Sequence, residues 1–190
     1  MVLPLKEIIY NDDNKTLSNE RIEVLDKVFS SFKCSQKNQD VEKFITELAI
    51  EFEKKRLSST FLIFNDEELE KGNLVLDAFF SLALKVFEFT DEASKSDRKK
   101  ACANDNITPA YLIGQLARNA NTKSGLGKET LIKAIEYIKN AQYYVGGRLV
   151  YLDCKDDLVN YYQKQGFKYI QKRKNSDANG DRLNQMYIVL

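Results

Sequence analysis

The segment Thr122-Lys123-Ser124-Gly125-Leu126-Gly127-Lys128 sets two glycines one residue apart, where an apolar strand pattern gives way to a helical one. Glycines there let the backbone turn sharply. Successive N–H groups can then converge on an anion at the helix start, a geometry suited to paired phosphates. The same glycines would also relieve strain in a tight turn, so the pattern alone leaves both readings open. Two familiar phosphate loops do not fit. A Walker A sequence needs Gly where Thr122 stands and Ser or Thr where Glu129 stands, and G-x-G-x-x-G fails at Thr130. The chain has no histidine, which removes imidazole bases, Ser-His and Cys-His nucleophile pairs and most zinc and non-haem iron sites. Cys34, Cys102 and Cys154 are odd in number and lack C-x-x-C spacing, so neither a disulfide framework nor a thiolate metal site is predicted. A reducing compartment fits them. Chemistry falls to phenols, carboxylates, amines and main-chain amides.

The elements that must position this loop follow from periodicity. Leu5 to Ile9 reads as a short strand. Ile22, Leu25, Val28, Phe29 and Phe32 recur at helical spacing behind Ser18 or Asn19 as N-cap, and Val41, Phe44, Ile45, Leu48 and Phe52 form a second stripe behind Asp40. Thr60 to Phe64, a turn at 65–73 and the run Leu74 to Phe89 predict a hairpin. Thr90 to Asn106, with Lys95, Arg98, Lys99 and Lys100, reads as a polar insertion, either a solvated loop or a short exposed helix. A strand from Pro109 through Leu116 leads into the glycine loop, and Leu131, Ile135 and Ile138 restore the helical period up to Gly146-Gly147. Arg148 to Cys154 is a strand, Asp156 caps a short helix closed by Gly166, and Lys168 to Lys172 and Gln185 to Leu190 are strands joined by a loop with the turn signal Asn179-Gly180.

With 190 residues and 43% hydrophobic content, the chain is read as one domain spanning 1–190 with an insertion at about 90–106. Its formal net charge is +1, so a polyanion would be held by a local patch and not by a global field. The first residues lack the basic and apolar regions of a signal peptide, and Asp77, Lys85 and Glu88 interrupt the longest apolar run. The expectation is a soluble, cytoplasmic protein without a membrane partner.

The strand Ala110 to Arg118, the G-x-G loop with its helix, the strand Leu149 to Cys154 and Tyr161-Tyr162-Gln163-Lys164-Gln165-Gly166-Phe167 succeed one another as in GNAT N-acetyltransferases. In that superfamily R/Q-x-x-G-x-G/A is the pyrophosphate motif, and an aromatic-Tyr-x-x-x-Gly-Phe segment ends the last core helix. Phe32-Lys33-Cys34 followed by Asp40 to Phe44 also resembles the bacterial branch that includes tRNA-acetylating toxins. The resemblance covers about the last 80 residues. It implies an α/β (α+β) GNAT fold, a mixed twisted sheet with helices on both faces, and a function as an acetyl-CoA-dependent N-acetyltransferase. The acceptor would be a primary amine of a small molecule or protein, with aminoacyl-tRNA as the toxin-type alternative and a non-catalytic acyl-CoA-binding or partner-binding module as another. A homodimer and, for a toxin, an antitoxin complete the partners considered.

The resemblance also assigns residues. Leu116, Ala117 and Arg118 would run along the pantetheine arm of acetyl-CoA, the amides of Lys123, Ser124, Gly125, Leu126, Gly127 and Lys128 would hold the diphosphate, and Asn160 would lie near the pantetheine. Thr122 departs from the Arg or Gln of the motif, which removes a side-chain contact and leaves the main-chain cradle. Tyr162, four residues before Gly166, would protonate the departing thiolate; as helix geometry alone has it, the ring equally suits a core position. Glu88, Asp77 or a relayed water are the candidates for base. Cys154, a strand cysteine without a histidine partner, reads as a small apolar residue, so direct transfer is preferred. The basic clusters Lys95 to Lys100 and Lys172 to Lys174 are the features that recommend a nucleic acid; such runs are also ordinary solvated faces.

Overall fold

The structure, a computed structural model, describes residues 1–11, 16–34, 39–102, 106–173, 180 and 182–190. Its elements run β1 (Val2–Pro4), α1 (Leu5–Ile9), α2 (Asn19–Ser31), α3 (Gln39–Lys43), a π-helical turn (Phe44–Leu48), α4 (Ala49–Lys54), β2 (Ser59–Phe64), α5 (Asp66–Glu70), β3 (Leu76–Glu88) and α6 (Lys95–Ala101). They continue with β4 (Ile107–Arg118), α7 (Leu126–Val145), β5 (Leu149–Cys154), a 3-10 turn (Asp156–Leu158), α8 (Val159–Lys164), β6 (Lys168–Lys172) and β7 (Asn184–Val189). The strands form one mixed seven-stranded sheet in the order β1-β2-β3-β4-β5-β7-β6. The chain divides into two compact units, Met1–Leu82 with Gln115–Glu136, and Ala83–Gly114 with Tyr137–Leu190.

In the first unit, β2 pairs antiparallel with β1 and with β3, from Ser59↔Leu82 to Phe64↔Leu76. Its core gathers Leu5 and Ile9 of α1, Leu25, Val28 and Phe29 of α2, Phe44 and Ile45 of the π turn, and Leu62, Leu76 and Phe79 of the strands. Leu5 to Ile9 is thus a helix and not a strand. Leu5 and Ile9, both fully buried, stand four residues apart on one helical face while Lys6 and Glu7 face solvent, a spacing that a five-residue window hides. Ser18 caps α2 as its sequence suggests, its hydroxyl accepting from the Arg21 amide. Asp40 lies inside α3 instead of capping it, and the turn at 65–73 contains α5, capped by Asn65, whose side chain accepts from the Glu68 amide.

In the second unit, β4 and β5 pair in parallel from Ala110↔Leu149 to Leu112↔Tyr151 and no further, although both strands continue. β5 then pairs antiparallel with β7, and β7 with β6. Phe87, Phe89, Ala110, Leu149, Tyr151, Ile170 and Tyr187 form the core of this unit. The polar segment after β3 folds as α6 behind an Ser94 cap and is not merely solvated. Asp97 is buried there, accepting from Lys168 Nζ at 2.6 Å and from the Tyr187 hydroxyl at 2.9 Å. Two groups on β6 and β7 therefore hold the helix. Asp156 does not cap the helix after β5; its carboxylate accepts from Asn184 and Lys172. Part of the segment 90–106, Lys174 and most of the loop carrying Asn179 lie outside the described residues.

Candidate functional site

The glycine loop is built outward from Asn119, which sequence reading did not single out. This residue is buried at the end of β4, its amide N–H donating to the Asp77 carbonyl at 2.7 Å and its Nδ2 to the Leu76 carbonyl at 3.2 Å. Its own Oδ1 accepts from the Asn121 amide, and its carbonyl accepts from both the amide and the hydroxyl of Thr122. The Ala120 amide donates to the Lys33 carbonyl at 2.7 Å. The signal in the sequence was a short polar residue at a strand end, the composition of a turn closed by its own side chain. Every amide from Asn119 to Thr122 thus has a protein acceptor.

Beyond Thr122 the accounting changes. The Gly125 carbonyl accepts from the Lys128 amide at 2.9 Å and the Glu129 amide at 3.3 Å, which starts α7, and Thr130, fully buried, donates its hydroxyl to the Leu126 carbonyl. The amides of Lys123, Ser124 and Gly125 donate to no acceptor among the described residues, and Ser124 and Gly125 form the turn that leads into α7. These free donors stand at the mouth of a 20-residue helix, where the helix dipole also favours negative charge. Gly125 holds φ at +99°, a conformation L side chains rarely adopt, and a Cβ added there would meet nothing within 4 Å. The loop is open on that side. These donors fit a diphosphate.

The neighbouring expected residues are arranged as follows. Leu116 and Ala117 are half-buried on the last stretch of β4, with Ala117 against the core of the first unit. Arg118 is exposed, and its guanidinium donates to the Thr122 carbonyl at 3.3 Å, to the Thr122 hydroxyl at 3.5 Å and to the Asn119 carbonyl at 3.4 Å. Thr122, the departure from the motif, closes the turn with its hydroxyl and brings this guanidinium against the loop. Lys123 and Lys128 are exposed.

In the second unit, α8 carries Asn160 exposed and Tyr162 buried. The Tyr162 ring packs edge-on against Phe167 at 5.8 Å and Tyr161 at 5.1 Å between centroids. Gly166, at φ +90°, makes the turn that brings Phe167 back, and the Phe167 amide donates to the Tyr162 carbonyl. Burial pushes the Tyr162 hydroxyl well above the usual phenol range, so it is protonated at neutral pH. The Tyr161 hydroxyl is enclosed without a hydrogen-bond partner among the described residues. Cys154 is a buried free thiol, pushed up to about 12 by burial and by the carboxylates of Asp153, Asp157 and Asp156, which suits packing and not nucleophilic attack. Of the base candidates, Glu88 is exposed, and the Asp77 carboxylate accepts from Asn65 at 3.0 Å while burial raises its pKa.

Neither a protein-family model nor a curated protein sequence matches the chain. Solved structures do. AtaT complexed with acetyl-methionyl-tRNAfMet is similar with a TM-score of 0.71 and 14% identity, over 100% of this chain and 94% of that one. A tyrosine-to-phenylalanine variant of KacT is similar with a TM-score of 0.64 and 16% identity, over 82% of this chain and 85% of that one. A tyrosine-to-phenylalanine variant of the AtaT toxin, bound to the C-terminus of the antitoxin AtaR and acetyl-CoA, is similar with a TM-score of 0.65 and 12% identity, over 100% and 92%. At these identities the likeness establishes the fold, and it is the GNAT fold that the two sequence motifs imply.

Proposed function

We propose that this chain is an acetyl-CoA-dependent N-acetyltransferase whose acceptor is the amino group of an aminoacyl-tRNA. The observation that carries the reading is the run of unpaired amides from Lys123 to Gly125 that leads into α7, a binding surface for a diphosphate. Acetyl-CoA supplies the activated thioester. In this reading the loop amides from Lys123 to Gly127 face the diphosphate, whereas the Lys128 amide is taken by the Gly125 carbonyl, so Lys128 joins Arg118 and Lys123 in adding positive charge, and backbone groups of Leu116, Ala117 and Arg118 align the pantetheine arm. Asn160 is a further contact.

Tyr162 serves the leaving group. A phenol held above its ordinary value of about 10 is a weaker acid than a thiol near 8.5, so its work is hydrogen-bond donation to the developing sulfur anion rather than complete proton transfer in advance. Two of the similar structures are tyrosine-to-phenylalanine variants, which supports a special tyrosine in this fold.

The acceptor assignment draws support from the tRNA complex of AtaT and from the exposed Lys95, Lys99 and Lys100 on α6. An antitoxin segment is the corresponding protein partner, by likeness to the AtaR complex. The test is transfer of labelled acetyl groups from acetyl-CoA to aminoacyl-tRNA, polyamines and peptides in parallel, with a thermal shift on acetyl-CoA alone. Label on aminoacyl-tRNA, and growth arrest on expression that Tyr162→Phe relieves, is the expected outcome. Label confined to polyamines or peptides overturns the acceptor, binding without any transfer overturns the enzyme, and unchanged melting overturns the cradle.

A further inference from the structure

β4 and β5 stop pairing at Leu112↔Tyr151, and the next residues on that face of each strand are Gly114 and Asp153. Gly114 is exposed and puts no side chain into the gap, so the Asp153 carboxylate borders the opening between the strands. That side chain is only 16% exposed. Its Oδ2 accepts from Arg173 Nη1 at 3.2 Å, whereas Oδ1 is enclosed with no hydrogen-bond partner among the described residues. An enclosed carboxylate oxygen is ordinarily paired with a donor. Gln185, the neighbour of Asp153 on β7, has its side-chain carbonyl taken by Gln171 at 2.9 Å and lends Oδ1 nothing.

Alternation along β5 sets Tyr151 and Asp153 on one face and Cys154 on the other. On the first face Tyr151 stands opposite Tyr187, whose hydroxyl donates to Asp97 of α6. The exposed Lys95, Lys99 and Lys100 of α6 therefore belong to the Asp153 side of the sheet. On the second face, burial and then Cys154 push the Tyr162 hydroxyl upward. We propose that Asp153 receives the acceptor's amino group at this opening and takes a proton from its nitrogen as that nitrogen attacks the thioester. This role rests on the acetyltransferase reading and adds the acceptor side to it. The C–N bond forms and the C–S bond breaks; the amine's proton passes to the carboxylate and on to solvent, and the sulfur anion, met by the Tyr162 hydroxyl, is protonated as coenzyme A leaves. Nucleophile and leaving group are thus served from opposite faces of β5. Burial, opposed by Arg173, raises the Asp153 pKa and makes it a stronger proton acceptor than a solvated aspartate. Among the described residues, the titratable groups facing it are Arg173, just past β6, and the Tyr151 phenol on its own strand; Gly114 and Gln185 bring no charge.

The experiment sets the full chain against Asp153→Asn, which keeps the shape and removes the charge. Without acetyl-CoA, filter binding of bulk aminoacyl-tRNA and of the same tRNA after N-acetylation should show a preference of about fivefold or more for the free amine in wild type and none in the variant. With acetyl-CoA, initial rates of label transfer at limiting acceptor give kcat/KM. The variant should lower it about a hundredfold at about pH 6 and only about threefold at about pH 8.5, where an α-amine of pKa about 8 attacks already neutral. Acetyl-CoA affinity should stay within about twofold. Arg173→Gln, at an exposed side chain, removes the charge that lowers the Asp153 pKa and should move the acid limb of the kcat/KM profile to higher pH; it also serves if Asp153→Asn fails to fold. An equal amine preference in wild type and Asp153→Asn, a loss that is the same at every pH, or an unmoved limb in Arg173→Gln overturns the role of Asp153 and leaves transfer itself in place. Absence of transfer by the wild type overturns the acetyltransferase reading instead, and the binding preference then decides by itself whether Asp153 meets the amine.

Discussion

Gly125→Asp separates the cost of bending the loop from the cost of repelling phosphate. An added Cβ meets nothing within 4 Å, so the main penalty on the free protein is the backbone at φ +99°. Holding an L residue at such an angle costs about 1–2 kcal/mol, with Asp among the more tolerant types. A carboxylate at the start of α7 returns about 0.3–1 kcal/mol through the helix dipole. The net loss is about 1 kcal/mol, a fall in Tm of about 2–4 °C for a chain of this size. The ligand meets a different sum. One new negative charge faces a diphosphate across a few ångströms, worth about 1 kcal/mol per charge in water and several in less polar surroundings. Affinity for acetyl-CoA should therefore drop at least about tenfold. Calorimetric titration with acetyl-CoA and with acetyl-pantetheine, which lacks the diphosphate, isolates the effect. The variant should lose affinity for the first and keep its weak affinity for the second, while Gly125→Ala, neutral and at least as strained, should lie between. Equal acetyl-CoA affinity in wild type and Gly125→Asp, or equal losses for both ligands, would refute the assignment of these amides to the diphosphate.

Tyr162→Phe should lower kcat by about a hundredfold or more while acetyl-CoA binding is retained, since the hydroxyl bonds to no described residue and the ring packing survives; an unchanged kcat in steady-state kinetics removes the phenol from the mechanism. Arg118→Ala takes away the one guanidinium nitrogen shared among three acceptors on Asn119 and Thr122, and acetyl-CoA affinity should fall about threefold to tenfold with stability moving less than about 0.5 kcal/mol, because the side chain is exposed. Tyr187→Phe leaves Asp97 with Lys168 alone and should cost about 1–2 kcal/mol in urea unfolding at neutral pH. Burial, with the Asp97 carboxylate beside it, pushes the Tyr187 hydroxyl up to about 12 from its ordinary 10. The folded state holds that proton more tightly than the unfolded one, so the contribution is whole below about pH 10 and is lost as pH rises through about 12. Stability of the wild type should decline across that window more steeply than that of Tyr187→Phe, and parallel declines would count against the linkage.

The longer elements were legible because each shows one side to a core. Leu25, Val28 and Phe29 recur at helical spacing and are buried; of the α7 stripe Leu131, Ile135 and Ile138, the first and last are buried and Ile135 is half-buried, with Ala134 beside it completing the buried side. β2 alternates from Thr60 to Phe64, with Thr60, Leu62 and Phe64 buried. Short pieces were not legible. α1 spans barely more than one turn, so its spacing of four was indistinguishable from an apolar strand, and α5 hides in a turn because only the Asn65 cap announces it. The role of α6 was illegible for a different reason. Asp97 reads as one more charge in a polar run, and its burial depends on Lys168 and Tyr187, 71 and 90 residues away, which no local pattern encodes.

The loop shows where sequence ends and structure begins in the functional reading. Two glycines at a strand-to-helix junction serve a tight turn and a phosphate cradle alike, and composition does not separate them. Hydrogen-bond accounting does discriminate. A loop that exists only to turn the chain consumes its amides in doing so, as Asn119 to Thr122 do on Asp77, Lys33 and Asn119. From Lys123 to Gly125 the donors are left over, and the dipole of a 20-residue helix adds to them. Unsatisfied amides of that number are ordinarily paired with solvent or a ligand, and only a multiply charged anion gains from all of them at once. The departure at Thr122 fits the same logic. Its small hydroxyl closes the turn and draws the Arg118 guanidinium to within 3.5 Å, so positive charge stands by the loop even though the motif's own side chain is missing. Restoring that side chain as Thr122→Arg should therefore strengthen acetyl-CoA binding in the Arg118→Ala background more than in the wild type, and equal gains in both would show that the two positions act independently.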